Sequence, residues 1–534
     1  MQNVAIVVVL LFGIAFLGIL SHRFNFPFPI VLVLSGLAIG IIPGLPVIAL
    51  HPEVVFLIFL PPLLYNAAWN TSWHEFKSAI RPISLAAVGL VLFTTVLVGV
   101  TAHYLIPGLE WPFAFLLGAI VSPPDAVAAT AITKRLGLSP RIVTILEGES
   151  LVNDASALIA YKYALVAITA GNFVLWKAGI DFVWVATAGI AIGLAIGYVI
   201  LFVHKNWICD SVIEVTFTFL TPVAAYLIAE ILHVSGVLAV VSSGLFLSLR
   251  AREAFSNESR IMGYAAWDVI IFILNSLVFI LIGLQLPTVI AGITLYSSYD
   301  LIIYALVISF VVIAVRFIWV VPAALIPRWL SKRIRVTEPF DPRNMVVFGW
   351  AGMRGVVSMA AALAIPLTLP NGEIFPHRNL IIYLTFCVIL ATLVLLGFTL
   401  PWAIRSLLKM QPYSMVVEEY LVRNQVVSAA INHIEENLGT APDELLHNIK
   451  SKYEVKYNRL QRTELPANYF GGGKTLPGNI FNEFSKMQMD LISIERNEIQ
   501  LLHRSGKASE DIVRKIEREL DLEETRLQME MYEG

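Results

Sequence analysis

Gly148-Glu149-Ser150-Leu151-Val152-Asn153-Asp154, followed by Ala155-Ser156-Ala157-Leu158-Ile159-Ala160, sets two carboxylates and an amide in an apolar run from Arg141 to Ala170. A run of that length crosses a bilayer as a helix. At about 1.5 Å of rise per residue, Asp154 lies roughly 20 Å along a helix entered near Arg141, close to the middle of the hydrocarbon. Ionisable groups are costly at that depth and mark function by default. Ser150 and Asp154 share a helix face at i, i+4, as do Glu149 and Asn153, so the polar side chains form two adjacent stripes.

The rest of the chain has the composition this reading requires. Of 534 residues 57% are hydrophobic and 14% charged, and the mean hydropathy of +0.76 is far too apolar for a soluble globule. Residues 411 to 534 hold 36 of the 76 charged side chains, which divides the chain into an apolar part, 1–410, and a polar tail, 411–534. Cys209 and Cys387 are too few and too far apart for a disulfide framework or a metal-ligand spacing. Nothing in the charge balance points to nucleic acid, and no cofactor motif is present.

Apolar runs of spanning length fall at approximately 3–21, 28–47, 53–69, 80–105, 112–136, 142–169, 180–203, 210–230, 233–250, 264–286, 298–327, 344–369 and 378–408. The faintest division, between the eighth and ninth, rests on Glu230, His233 and Gly236. No basic residue precedes the first run, so it reads as a retained helix rather than a cleaved signal peptide. With the N-terminus outside, alternate loops hold seventeen Lys and Arg on one side against two, Lys177 and Arg378, on the other. Basic loops stay in the cytoplasm, so thirteen helices and a cytoplasmic tail are expected.

Two spans are interrupted. Ser122-Pro123-Pro124-Asp125 removes backbone donors halfway through the fifth. In the twelfth, Gly349, Gly352 and Gly355 surround Arg354 within Phe348-Gly349-Trp350-Ala351-Gly352-Met353-Arg354-Gly355. Interrupted helices at corresponding positions of two halves point to an inverted-repeat transporter with its site at the midplane. Asp125 is expected at the positive start of the second half-helix of the fifth span, and Arg354 against carbonyl-terminated ends in the twelfth. Glu149 is the expected partner of Arg354, with Glu147 nearer water. Asp154 stands beside the neutral Asn153. A lone midplane carboxylate accepts a proton or a small cation but not both, which yields exchange, and one charge traded for one makes the cycle electroneutral.

At this point the sequence resembles a known family. Glu149-Ser150-Leu151-Val152-Asn153-Asp154, Ser122-Pro123-Pro124-Asp125-Ala126-Val127-Ala128 and Gly352-Met353-Arg354-Gly355 look like signature regions of the cation:proton antiporter-1 family of sodium/proton exchangers. Leu60-Pro61-Pro62-Leu63-Leu64-Tyr65-Asn66-Ala67-Ala68 resembles its third-helix motif. The resemblance covers about residues 1 to 410. It implies an all-α polytopic fold with two discontinuous helices, core and dimer subdomains, elevator-like alternating access and a plasma-membrane homodimer. By the same pattern Asp154 carries ion or proton, with Asn153, Ser150 and Asp125 nearby, Asp154 binds the monovalent cation transiently, and Glu149 pairs with Arg354. The Asn-Asp pair resembles the electroneutral branch. Two positions depart from the pattern: Asn66 stands where many members carry an acid, and Pro123-Pro124 precede Asp125 where many have the proline after it. Sodium, lithium and potassium therefore remain open as cargo.

Remaining signals are weaker. Lys162 is expected to snorkel outwards, Arg316 to pair with Glu214 or Asp268, Glu214 to take either a funnel role or a solvated-end role near the cytoplasmic end of its span, and His103 and His233 to lie at the interface. In the tail, 416–437 and 480–532 read as amphipathic helices, the second with Phe481, Phe484, Met487, Leu491, Ile494 and Leu501 on one stripe. Such a tail suits regulation or dimerisation. Gly471-Gly472-Gly473-Lys474-Thr475 lacks the first glycine of a nucleotide loop, the position being Asn468, and reads as a linker. A channel would favour a continuous polar pore lining instead of two broken helices. A hydrolase reading fails because Gly148-Glu149-Ser150-Leu151-Val152 lacks the closing glycine of a nucleophile elbow and no histidine lies at matching depth, so no enzymatic activity is expected.

Overall fold

Proline and glycine decide where the long apolar runs stop being helix. The computed structural model describes residues 2–24, 27–42, 55–125, 140–170, 175–208, 210–251, 255–330, 342–407, 413–437, 447, 449–451, 453 and 478–533. Among them the structure is helical without strands, and a helix occupies each of the thirteen expected spans. In chain order these are α1 (Gln2–Phe24), α2 (Phe28–Gly40), α3 (Leu60–Asn70), α4 (Ile80–Leu105), α5 (Trp111–Val121), α6 (Pro140–Ala170) and α7 (Leu175–Trp207). They continue as α8 (Ser211–Ile231), α9 (Gly236–Leu249), α10 (Asn257–Ala291), α11 (Ser298–Leu330), α12 (Pro342–Trp350), α13 (Val356–Leu363) and α14 (Arg378–Leu407). Seven have the length and composition to cross a membrane unaided.

The α8–α9 division rests on local chemistry. His233 takes a left-handed conformation at φ 57°, and the Ser235 hydroxyl accepts from the Leu238 N–H at 3.2 Å, capping α9. The breaks fall where expected: α5 stops before Ser122-Pro123-Pro124, and α12 and α13 flank the unwound residues 351–355. Residues 126–136, the rest of the fifth span, lie outside the described residues, as does the Gly471–Thr475 stretch.

Two helix groups follow from the packing. α3, α7, α8 and α9 pack on one another, whereas α5 lies against α4 and α6, and α11 against α4, α12 and α14. α6 also touches α3 and α9, so the site-bearing helix runs along the seam between the groups. α2 meets α10 backbone to backbone. A Cβ on Gly36 would overlap the Ile280 carbonyl oxygen, and one on Gly283 would overlap that of Val33.

Contact clustering divides the chain into two compact units, Met1–Ala254 with Ala265–Met410, and Phe255–Tyr264 with Gln411–Gly534. The second takes in a short segment that the sequence assigned to the membrane part, and an ion pair explains why: Arg260 holds Asp521 at 2.6 and 3.2 Å, and Arg496 reaches the same carboxylate at 2.7 Å. Its helices are α15 (Tyr413–Asn437), α16 (Gly478–Arg504) and α17 (Glu510–Glu533), around a core that includes Val426, Ile499, Ile512 and Ile516. The single helix expected over 480–532 is therefore two. Gly506 at φ 72° ends α16, and the Lys507 and Gly506 N–H groups turn back onto the Leu502 and His503 carbonyls. The buried stripe also differs from the expected one: Leu502 is inside while Leu501 is 59% exposed.

The α17 N-terminus carries an acid whose titration is set by its neighbours. Burial pushes the Glu510 carboxyl up, but hydrogen bonds and charge from His503 and Arg514 outweigh it and hold it at about 2, below the ordinary 4.5. A depressed carboxylate contributes stability in full above its unfolded value and loses it as pH falls through its folded value. Glu510→Gln is thus expected to speed amide exchange in α16 and α17 at pH 6 and to lose that effect near pH 2. For the membrane part, Gly283→Leu should overpack the α2–α10 crossing at a cost of about 1–3 kcal/mol, read as a lower melting temperature in detergent.

Candidate functional site: the helix crossing around Asn153 and Asp154

Unwinding α5 and the α12–α13 span strands backbone groups where no water is available, so each must find a protein partner. The two breaks supply one another. The Asp125 N–H donates to the Met353 carbonyl at 2.7 Å, which ties one unwound segment to the other. Arg354, 1% exposed, donates from Nε to the Val121 carbonyl at 2.7 Å and from Nη1 to the Gly352 carbonyl at 2.9 Å. Its own N–H is received by Thr392 Oγ1 of α14 at 3.1 Å. One guanidinium therefore covers carbonyl ends released by both broken helices.

This corrects the expected Glu149–Arg354 pair. Glu149 is held by Arg316 of α11, Nη1 to Oε1 at 2.7 Å and Nη2 to Oε2 at 2.9 Å, with both side chains at most 2% exposed. Arg316 also donates from Nε to the Phe348 carbonyl at 3.2 Å, lies over the Phe348 ring and runs against Gly352, where a Cβ would overlap its side chain. The forked geometry matches a carboxylate edge to edge, which favours Arg316 for that role. Arg354 makes no hydrogen bond to the acid, which acts on it only as a nearby charge. Each helix C-terminus carries roughly half a negative charge, so two converging ends offer about one unit.

Depth along each helix removes one of the expected partners of Arg316 but not the other. Glu214 and Asp268 were the expected partners of Arg316, but Glu214 stands three residues into α8, roughly 5 Å from its start. Arg316 stands fourteen residues before the end of α11, roughly 20 Å in. The mismatch excludes Glu214, whereas Glu149, nine residues into α6, and Asp268, eleven residues into α10, both lie deep enough to reach it.

Around this frame the polar residues of α6 come together with the first break. Asn153, 0% exposed, donates from Nδ2 to the Pro124 carbonyl at 2.9 Å, while its Oδ1 has no partner among the described residues. Asp154 beside it is buried, at 7% exposure, and makes no hydrogen bond or ion pair among the described residues. The Asp125 carboxylate is its charged neighbour. That carboxylate lies against Gly355, where any Cβ would overlap it, so the residue leading into α13 must be glycine for Asp125 to occupy its position. Ser150 is half-buried one turn before Asp154, and Glu147 is half-buried nearer the start of α6.

Other residues singled out by sequence lie elsewhere. Asn66 accepts from the Asn70 amide at 3.2 Å on α3 and takes no part in the crossing. Lys162 does not simply snorkel: Nζ meets Glu230 Oε1 at 2.6 Å and Oε2 at 2.9 Å. His103 is half-buried and stacked on Trp111, and His233 is exposed. Glu214 is buried, not solvated, near the start of α8. No group of three or more His, Cys, Asp or Glu side chains converges as a metal site among the described residues.

Two discontinuous helices beside a buried acid that is unpaired among the described residues define a polytopic membrane transporter of the broken-helix class. Comparison with known proteins agrees. A family profile described as "Sodium/hydrogen exchanger, transmembrane" matches residues 7–406. The "Sodium, potassium, lithium and rubidium/H(+) antiporter" of Bacillus pumilus is 34% identical over 474 residues, 85% of this chain and 69% of that protein. The "Na(+)/H(+) antiporter ApNhaP" of Aphanothece halophytica is 31% identical over 468 residues, 86% of this chain and 85% of that protein. The structure of the sodium proton antiporter MjNhaP1 from Methanocaldococcus jannaschii at pH 8 superposes with a TM-score of 0.59 at 19% identity, covering 76% of this chain and 99% of that one. The chain belongs to the sodium/hydrogen exchanger family and has the sodium/proton antiporter fold.

The buried ion pair gives a stability test. Glu149→Gln leaves the Arg316 guanidinium without its carboxylate and is expected to cost about 3–5 kcal/mol. Purified protein should melt earlier, and the double variant Glu149→Leu/Arg316→Met should recover much of the loss.

Proposed function

We propose that this protein is an electroneutral secondary antiporter that exchanges a monovalent cation for H+ across the plasma membrane, with Asp154 as the group that carries one or the other. The observation that carries the reading is the pairing of an unpaired buried carboxylate, Asp154, with an unsatisfied buried amide oxygen, Asn153 Oδ1, beside an unwound backbone. Oxygen donors of this kind suit a small hard cation. The cation is cargo: Asp154 supplies the charge, Asn153 Oδ1 a neutral ligand, and Ser150 and Asp125 flank them.

The cycle follows from the cost of a bare charge in hydrocarbon. Asp154 moves with either a proton or a cation, and the empty anion is penalised. Asn153 adds no charge, so the loaded site carries the same net charge in both directions. Names of the relatives include sodium, potassium, lithium and rubidium, which supports a monovalent-cation site rather than strict sodium selectivity. Orientation with the N-terminus outside and the tail in the cytoplasm rests on the distribution of Lys and Arg among the loops. We further propose a homodimer, with the tail helices regulating or joining the protomers, and a role in pH homeostasis.

In proteoliposomes an imposed cation gradient should drive opposing proton flux that is insensitive to a clamped membrane potential. Asp154→Asn should reduce it at least 100-fold while leaving the melting temperature within a few degrees of wild type. Potential-driven current in place of coupled flux would overturn the reading.

A further inference from the structure

Lys162 follows Asp154 by two helical turns on α6, and its ammonium reaches the last turn of α8, where Glu230 receives it at 2.6 and 2.9 Å. Glu149–Arg316 and Lys162–Glu230 both leave α6, and they differ in kind. Glu149–Arg316 joins helices of the same group and is sealed, at 1% and 2% exposure. Lys162–Glu230 joins the site-bearing helix to the α7–α9 group and is open, at 50% and 33%.

The second pair is not a by-product of close packing. α6 and α8 do not pack along their lengths among the described residues; α6 meets that group through α3 and α9. Glu230 is instead presented from the far side of the seam. Its carboxylate lies near Gly236 at the start of α9, where a Cβ would come within 2.7 Å of the Tyr226 ring and 3.2 Å of Glu230 Oε1. The acid is therefore fixed on one helix group and the base on the other, two turns from the acid that carries the cargo.

We propose that Lys162 and Glu230 form a latch across the seam that holds the present conformation and parts once in every transport cycle. The proposal rests on the antiport reading: a helix that presents Asp154 to the two sides in turn shifts relative to α8, and a direct ion pair does not survive such a shift. Exposure suits this task, because water solvates both partners when they separate, whereas separating the sealed Glu149–Arg316 pair would leave two bare buried charges. Lys162 and Glu230 are positioning residues that govern turnover without touching the ion.

The test uses full-length protein in proteoliposomes with Cys209→Ser and Cys387→Ser as background. Lys162→Cys and Glu230→Cys are joined by a bifunctional methanethiosulfonate reagent whose span matches the ion pair, each thiolate forming a disulfide and displacing a sulfinate. Joining should reduce cation-driven proton flux at least tenfold, and reduction should restore it. Flux unchanged in protein that mass spectrometry shows to be fully joined would overturn the latch. Absence of coupled flux in the wild type would instead strike the antiport reading. A second measurement covers loss of the cysteine variant on folding. Glu230→Lys alone should alter turnover severalfold at unchanged cation KM, and the exchange Lys162→Glu with Glu230→Lys should restore it. An exchange variant no better than the product of its two single variants would count against the latch.

Discussion

The structure depends on one constraint: carbonyls freed by breaking two helices inside a bilayer have to be answered by protein. Arg354 answers two of them, at Val121 and Gly352, and the Asp125 N–H answers a third, at Met353. These bonds run between the two breaks as well as within one, so neither unwound segment is stable without the other. The crossing is a single object, and the polar face of α6 is oriented by it through the Asn153–Pro124 bond.

Seen this way, the intramembrane charges divide by how much they are committed. Glu149 and Arg316 use both arms of a forked pair and are sealed, which makes them a rigid joint between α6 and α11. Arg354 spends its Nε and Nη1 on carbonyls. Asp154, on the same helix as Glu149 and five residues later, has no such bond among the described residues. A carboxylate with satisfied hydrogen bonds has little to gain from a cation, whereas an unsatisfied one has much. The difference between a structural and a working acid on one helix is therefore a difference in partners, not in depth.

Much of this was legible in the sequence. Thirteen apolar runs, two interruptions at Ser122-Pro123-Pro124 and Gly349–Gly355, and an acid at the middle of a span are properties of composition and spacing, which hydrocarbon constrains severely. Pairing was less legible, because which arginine meets Glu149 depends on how helices 167 residues apart in sequence are laid side by side. The cost of an unpaired guanidinium points to a carboxylate for Arg354, but converging helix ends supply hydrogen-bonding partners that the sequence pattern does not display. The partner of Lys162 was hidden for the same reason: Glu230 is on a helix whose neighbours the periodicity does not reveal. The tail break at Gly506 was missed although glycine is the usual signal, because the apolar stripe on either side continues with helical spacing.

The neutrality of Asn153 has a structural origin as well as an electrical one. Its Nδ2 donates to the Pro124 carbonyl, and an ionised aspartate at that position has no hydrogen to donate. Such a residue would confront the carbonyl with like partial charge, so it would have to hold a proton to preserve the link between α6 and the first break. An amide performs that task at every pH and leaves its oxygen unspent beside Asp154. In the proposed cycle the consequence is that residue 153 never changes its proton, so its neutrality is fixed by a hydrogen bond that the fold already requires.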